Sequence, residues 1–346
     1  MNSVTIEANF RSFGFDHTFI NFVPLLAIVS AIFVVNYPQY FEIVLSVDLF
    51  LLGYHHVIST YTRLSKSNLT DKEFKFLVYV LPFLILGAVV LCASTNYIWL
   101  IPTIYLYWQW WHYTRQSEGI SKSIRFKTKS QESASDNFSR CVFYMVPIVA
   151  ILLASARQHA TFLFMPVKTI PIPMEVMTPL LIACGLIWLV WFTKLLKDFQ
   201  QGKIAWQFLM YQLSHHCIYL VSYILINDIT IGWLAINIWH NFQYILFVWH
   251  VNLNKFKRGF DPKHPIISWI SQPSAQRIFI YFSTCLILTY IFYSGVGYGV
   301  SIVSRESLLP IALITYQTIN FHHYVVDTLI WKLRKPALRE SVGIKA

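Results

Sequence analysis

Charge is scarce in this chain. Only 12% of its 346 residues are Asp, Glu, Lys or Arg, about half the share usual in a soluble globular domain. Apolar residues make up 56%, and the mean hydropathy is +0.51. A water-facing surface of ordinary polarity cannot be built from that composition. Paired cysteines are missing as well. Cys92, Cys141, Cys184, Cys217 and Cys285 stand singly in or beside apolar runs, and there is no CxxC. This argues against a disulfide framework or a thiolate metal site and leaves small apolar packing residues. The first apolar run, about 18–35, is not followed by a small-residue cleavage site, so it reads as a retained span rather than a signal peptide. No polar segment is long enough for a separate soluble domain, and no dinucleotide-binding or ferredoxin signature is present. Residues 1–346 are therefore expected to form a single integral-membrane domain.

What fills the chain instead is a series of apolar runs, many near the ~20 residues that cross a bilayer as a helix. Ten spans are predicted, at about 18–36, 41–62, 73–93, 97–115, 141–156, 177–193, 206–227, 229–250, 276–295 and 307–331. The fold class this implies is all-α, a polytopic membrane bundle of about ten transmembrane helices. The polar connections alternate in basic content. The N-terminus, 63–75, 115–140, 194–203, 252–277 and the C-terminus hold 24 of the 27 Lys and Arg residues, and the opposite side has only Arg157, Lys168 and Arg305. Basic residues are retained on the cytoplasmic side, which puts both termini there. An odd number of spans would destroy the alternation. The net charge of +11 is thus a topology signal, not a nucleic-acid footprint. The longest connection, Gln116 to Arg140, contains "SKSIRFKTKSQESASD" and reads as a flexible basic strip on the inner leaflet. The segment "FDPKHPIISWISQP", with three prolines, is expected to lie along the interface.

Histidine is the polar residue the apolar runs do contain. Nine of twelve lie in or at the ends of predicted spans: His55, His56, His112, His215, His216, His240, His250, His322 and His323. Polar groups in a bilayer are costly and tend to mark ion paths, relays or ligand sites. His55 and His56 lie eight and seven residues before Arg63, and His215 and His216 nine and ten after Trp206. His240 lies nine before Trp249, and His322 and His323 nine and eight before Trp331. At 1.5 Å per residue these seven sit about 10–15 Å below the cytoplasmic surface, on four helices. They are the expected metal ligands, although which member of each adjacent pair faces a site is open, since neighbours on a helix point about 100° apart. Asn237 and Asn241 flank His240, and Asp327 follows His323 by one turn. Asp327, Asn237, Asn241 and the shallower His112 are expected to support the ligands or face a substrate. His112 ends the aromatic cluster "WQWWH", an interfacial belt or a substrate-facing rim. Imidazoles plus a carboxylate without thiolates suit non-haem iron best, with zinc or copper next.

A multi-span chain whose histidines converge from several helices at one depth resembles the integral-membrane non-haem iron oxygenases. The fatty-acid desaturases, hydroxylases and alkane hydroxylases of that group carry HxxxH and HxxHH boxes, spacings absent here. The chain is more similar to the Brp/Blh-type bacterial carotenoid dioxygenases, compact all-helical membrane proteins whose iron is held by histidines scattered over different spans. The segments "LGYHHVISTYTRL", "WHNFQYILFVWH" and "FHHYVVDTLIWKLR" look like those of bacterial membrane proteins of that style. The resemblance implies an iron-dependent oxygenase of the bacterial inner membrane, with one or two ions, acting on a carotenoid, another isoprenoid or an acyl chain that arrives from the lipid. Any reductant would come from a partner protein or from the substrate. Two other readings fit the residues: a haem-b electron-transfer protein with axial histidines, and a proton-coupled transporter with a histidine relay.

The basic asymmetry makes a prediction about topology. A reporter placed in 116–140 or after Ala346 is expected to behave as cytoplasmic, and one in 157–175 as external. Reporters in the two internal segments that agree on one side would refute the alternation.

Overall fold

The computed structural model describes residues 9–64, 69–303 and 310–344. Lys66, Arg305, Lys345 and the start of the tenth expected span, 307–309, lie outside the described residues. In chain order the helices are α1 (Phe13–Asn36), α2 (Pro38–Tyr61), α3 (Asp71–Ala93), α4 (Leu100–Thr128), α5 (Asp136–Ala156), α6 (Met174–Gln200), α7 (206–225), α8 (Ile229–Lys255), α9 (Pro265–Ile270), α10 (Ala275–Val303), α11 (Ile311–Ile330) and α12 (Pro336–Val342). Strands among the described residues are limited to β1 (Thr161–Phe162) and β2 (Met165–Pro166), an antiparallel pair turned by Leu163 and Phe164, both at positive φ.

Among the described residues six helices, α1, α2, α3, α5, α6 and α10, are long and apolar enough to cross a membrane. They also turn large apolar side chains outward, such as Leu25 and Ile32 on α1, Phe83 and Leu91 on α3, Ile182 and Leu186 on α6, and Phe279 and Tyr290 on α10. Water would penalise that surface and a bilayer rewards it. The chain is an all-α, multi-pass membrane protein. The other four expected spans fall on α4, α7, α8 and α11, which are long but too polar for the same class. Their polar residues are buried rather than exposed: Gln109, His112 and Ser117 on α4, Gln212 and His215 on α7, Asn237 and Asn241 on α8, Gln317, Asn320 and Asp327 on α11.

The 116–140 connection is not the flexible strip expected from its composition. α4 continues through it to Thr128, helped by straight-chain residues that favour helix and by the one-turn pair Glu118–Lys122, 2.6 Å apart. Lys129, at φ 58°, ends it, and Ser135 opens α5 by accepting the Phe138 N–H. The short link between them is tied down. Gln131 N–H donates to Lys203 O, and both N–H and O–H of Ser133 donate to Asp198.

Several helices are widened by a π-type segment: Thr18–Phe22 in α1, Leu49–Tyr54 in α2, Phe76–Val80 in α3 and Leu220–Leu225 in α7. In α1 and α3 the residue just after the segment is itself followed by proline, Val23-Pro24 and Leu81-Pro82. Proline has no N–H to give to the turn below it, so the ladder must change there. In α2 the segment ends at Tyr54, where His55 and His56 begin the regular helix again.

The contacts divide the chain into two compact units, with the divisions falling inside α2, α4 and α8. Unit 1 comprises Met1–Leu45 and Tyr107–Gln243, and unit 2 comprises Ser46–Leu106 and Tyr244–Ala346. In unit 1, α5 packs on α6 and on α7. Arg157 donates to the carbonyls of Tyr223, Ile224 and Ile226 and so closes the end of α7. In unit 2, α11 packs on α3, α10 and α2, around a core of Leu69, Leu77, Leu81, Val326 and Ile330.

Gly232 on α8 lets that helix meet the last turn of α7. A Cβ at this position would lie 1.8 Å from Ser222 O, a backbone atom that cannot swing aside. Gly232→Ala is therefore expected to destabilise the protein by about 1–3 kcal/mol, read as a lower unfolding midpoint in detergent. An unchanged midpoint would mean that the two segments do not meet at this distance.

Candidate metal centre

The candidate site residues belong to two sets. Unit 1 holds His112, His215, His216 and His240 with Asn237 and Asn241, and unit 2 holds His55, His56, His322 and His323 with Asp327. All are buried.

Two of them have a backbone task. In α3 the Leu81 N–H bonds Phe76 O, and the next donor in the ladder would come from position 82, which is proline. Leu77 O therefore has no helical donor, and His322 Nε2–H supplies one at 2.8 Å. His322 Nδ1 then accepts the Tyr61 O–H, also at 2.8 Å. In α5 Pro147 removes the N–H that Phe143 O would meet one turn on. His215 Nε2–H donates to that carbonyl at 3.1 Å, while its Nδ1 accepts from Ser117 at 3.0 Å and its ring stacks on Phe143. Both nitrogens of these imidazoles are engaged by the protein, so neither is placed as a ligand.

The remaining histidines are placed differently from one another. His55 Nδ1 donates to Leu51 O at 3.2 Å, and His216 Nδ1 accepts from Trp188 at 3.1 Å. His240 stacks on Tyr113 at 3.6 Å and lies 5.4 Å, ring to ring, from His112. The Tyr113 O–H donates to Asn237 Oδ1 in a short bond and accepts from Gln109 at 2.6 Å. His250, at the end of the same helix, meets Val342 O at 3.4 Å and Asn254 at 3.1 Å. None of these arrangements, taken within unit 1 or unit 2, gathers a carboxylate.

One group does. In unit 2, His56 of α2 meets His323 of α11 with Nε2 to Nε2 at 2.7 Å, and Asp327 Oδ2 lies 3.7 Å from His323 Nε2. Each of the three offers a ligand atom, and these atoms lie within 4.8 Å of one another. Two nitrogens bound to one ion at about 2.1 Å and at right angles would stand about 3 Å apart. The three donors thus already stand at roughly the separation that a shared metal requires. An ionised carboxylate in surroundings this dry would need a cation to balance it.

A layer of supporting residues orients the cluster. The Tyr244 O–H donates to Asp327 Oδ1 at 2.8 Å. Its oxygen accepts from Trp331 Nε1–H at 2.7 Å and from Thr60 at 2.8 Å, which completes the one donor and two acceptor sites of a phenol. The ring stacks on His56 at 4.2 Å. Tyr244 therefore holds one oxygen of Asp327 and one face of His56 at once, and it leaves Oδ2 as the oxygen turned to His323. Neither Tyr244, Thr60 nor Trp331 stands out in the sequence alone. Their signal is helical spacing: Thr60 is four residues after His56, Asp327 four after His323, and Trp331 four after Asp327.

No family model, curated protein or solved structure matches this chain.

The backbone task assigned to His322 is testable. His322→Ala should lower stability by about 2–3 kcal/mol by opening a cavity and orphaning Leu77 O. Pro82→Ala in the same chain, which restores an N–H, should recover part of the loss in a double-mutant cycle of detergent unfolding. Strict additivity would show that the histidine does not serve the proline gap.

Proposed function

We propose that this chain is a membrane-embedded, non-haem iron oxygenase whose metal is held by His56, His323 and Asp327. The observation that carries the proposal is the donor set: two imidazoles and one carboxylate, on two helices, buried together. Two histidines and one carboxylate on one face of an iron leave its other positions open, and this is the arrangement of many iron(II) oxygenases. Bound iron would supply the activation of O₂. The residues of the chain hold the site. Tyr244 fixes Asp327 and His56, Thr60 and Trp331 fix Tyr244, and the apolar surroundings keep the imidazoles neutral and exclude water. His322 is occupied with Leu77 and Tyr61, and His215 with Phe143 and Ser117, so only part of the histidine layer is assigned to metal.

The outward apolar faces of the protein support a lipophilic substrate class. A lipophilic molecule that partitions into the bilayer, such as a carotenoid, another isoprenoid or an acyl chain, is the reading we adopt. A bacterial inner membrane, a partner protein as electron donor, and the crossing of the bilayer by α4, α7, α8 and α11 to make ten spans belong to the same proposal. The spacing of His56 and His323 speaks against haem b between them. Two axial nitrogens, each about 2 Å from a central iron, stand about 4 Å apart, and these are 2.7 Å apart. The same short contact gives a histidine proton relay its one specific support, and metal content separates the two readings.

The test is iron per protein, with a visible spectrum, on samples purified in detergent without chelator. Wild-type protein should carry iron without a Soret band. His56→Ala and His323→Ala should lose it while remaining monodisperse. Tyr244→Phe should weaken binding by about 10–100-fold, as for losses of groups that orient a ligand. His322→Ala and the loop variants His159→Ala and His264→Ala should retain it. Metal-free wild-type protein with full activity, or retention in His323→Ala, would overturn the assignment.

A further inference from the structure

A second site lies in unit 1, and no histidine is among the residues that line it. Along the outer side of α5 runs an apolar groove of about 520 Å³. Cys141, Met145, Ile148 and Leu152 form its floor, at spacings of four, three and four residues that keep them on one face of the helix, and Leu180 of α6 forms a wall. The eleven helical steps from Cys141 to Leu152 extend about 16 Å, so the groove has the length of a lipid tail and not of a compact ligand. α5 is one of the helices apolar enough to cross a membrane.

The groove ends at Asn137 and Arg140, and here the surface becomes cationic. Glu118 of α4 gathers three cations: Lys122 Nζ at 2.6 Å, Arg140 Nε at 3.0 Å and Arg115 NH1 at 3.9 Å. Tyr144, which also lines the groove, donates its O–H to the same carboxylate at 2.6 Å. The carboxylate is only 9% exposed, whereas Arg140 is 54% and Arg115 53% exposed. Glu118 is thus inside the cluster and its three cations face outward, with Asp136, 78% exposed, as the outward anion beside them. The nearby Asp136 is held by Arg125 at 2.8 Å, and Arg125 also meets the buried Glu132 at 3.3 Å. A lipid tail in the groove would therefore bring its headgroup against an outward surplus of positive charge, which Arg is well shaped to use on phosphate.

We propose that this groove is a binding site for an anionic phospholipid, with one acyl chain along α5 and the phosphate on Arg140, Arg115 and Lys122.

Cys141 lies on the groove floor beside Arg140 and is exposed, so its alkylation reports occupancy. The experiment uses the full chain with Cys92→Ser and Cys217→Ser, which leaves Cys141 as the exposed thiol among the described residues. The rate of its reaction with N-ethylmaleimide is measured in detergent alone, with phosphatidylglycerol, with phosphatidylcholine and with inorganic phosphate. Phosphatidylglycerol should slow the reaction about fivefold more than phosphatidylcholine does, the difference of one basic contact, and inorganic phosphate should not slow it. Arg140→Ala should erase the difference between the lipids and Arg140→Lys should keep most of it. Ile148→Trp, which fills the groove, should erase protection by either lipid. Equal protection by the two lipids overturns the proposal, as does protection by inorganic phosphate alone. A lipid difference that survives Arg140→Ala does so too.

Discussion

A backbone carbonyl that has lost its helical donor has no water to turn to inside a bilayer, and much of this structure follows from that constraint. Proline at positions 82 and 147 creates two such carbonyls, Leu77 O and Phe143 O. An imidazole carried by another helix answers each of them, His322 in unit 2 and His215 in unit 1. The outcome is a helix pair joined by a polar bond where apolar packing alone would leave the pair free to slide. It also explains why histidine, rather than serine or threonine, occupies these positions. Only a long side chain with a ring N–H reaches a carbonyl on a neighbouring helix and still offers a second nitrogen to a hydroxyl.

The same accounting separates the structural histidines from the candidate centre. A histidine whose two nitrogens meet a carbonyl and a hydroxyl has its tautomer fixed and no lone pair to offer. His56 and His323 face each other instead, with a carboxylate on the next turn of α11. Such an arrangement is costly in a dry interior unless a proton or a cation is shared. Tyr244 is what keeps it from relaxing, because its hydroxyl is saturated by Asp327, Trp331 and Thr60 and its ring lies flat on His56.

The helical, membrane-spanning class was legible in the sequence because it depends on composition and run length, which need no partner to be read. The polar helices were legible as helices but not as equal members of the set. Residues such as Gln317 and Asn241 make α11 and α8 too polar to resemble α3 or α6, and only their burial accounts for it. The continuation of α4 to Thr128 was hidden by its serines and lysines, which resemble a loop in composition, although the Glu118–Lys122 spacing was a sign of helix. Residue spacing from the expected membrane boundary puts seven histidines at one expected depth, whereas azimuth, which spacing from a boundary does not give, decides which of them meet. His323 with Asp327 could be read from a four-residue spacing. His56 with His323 could not, because 267 residues separate them. The task of His322 lay in the sequence only as a proline far away in the chain, with nothing local to connect the two.

The proline repair in α3 also has a mechanical side. α3 presents Phe83, Leu84 and Leu91 outward, so it is a helix that a bilayer grips. Its bond to α11 is made through His322, and the adjacent residue on α11 is His323. A bilayer thicker or thinner than a helix prefers acts on the tilt of that helix. Through a carbonyl that proline left without its helical donor, the bond from His322 ties the outward-facing α3 to the helix that carries His323 and Asp327.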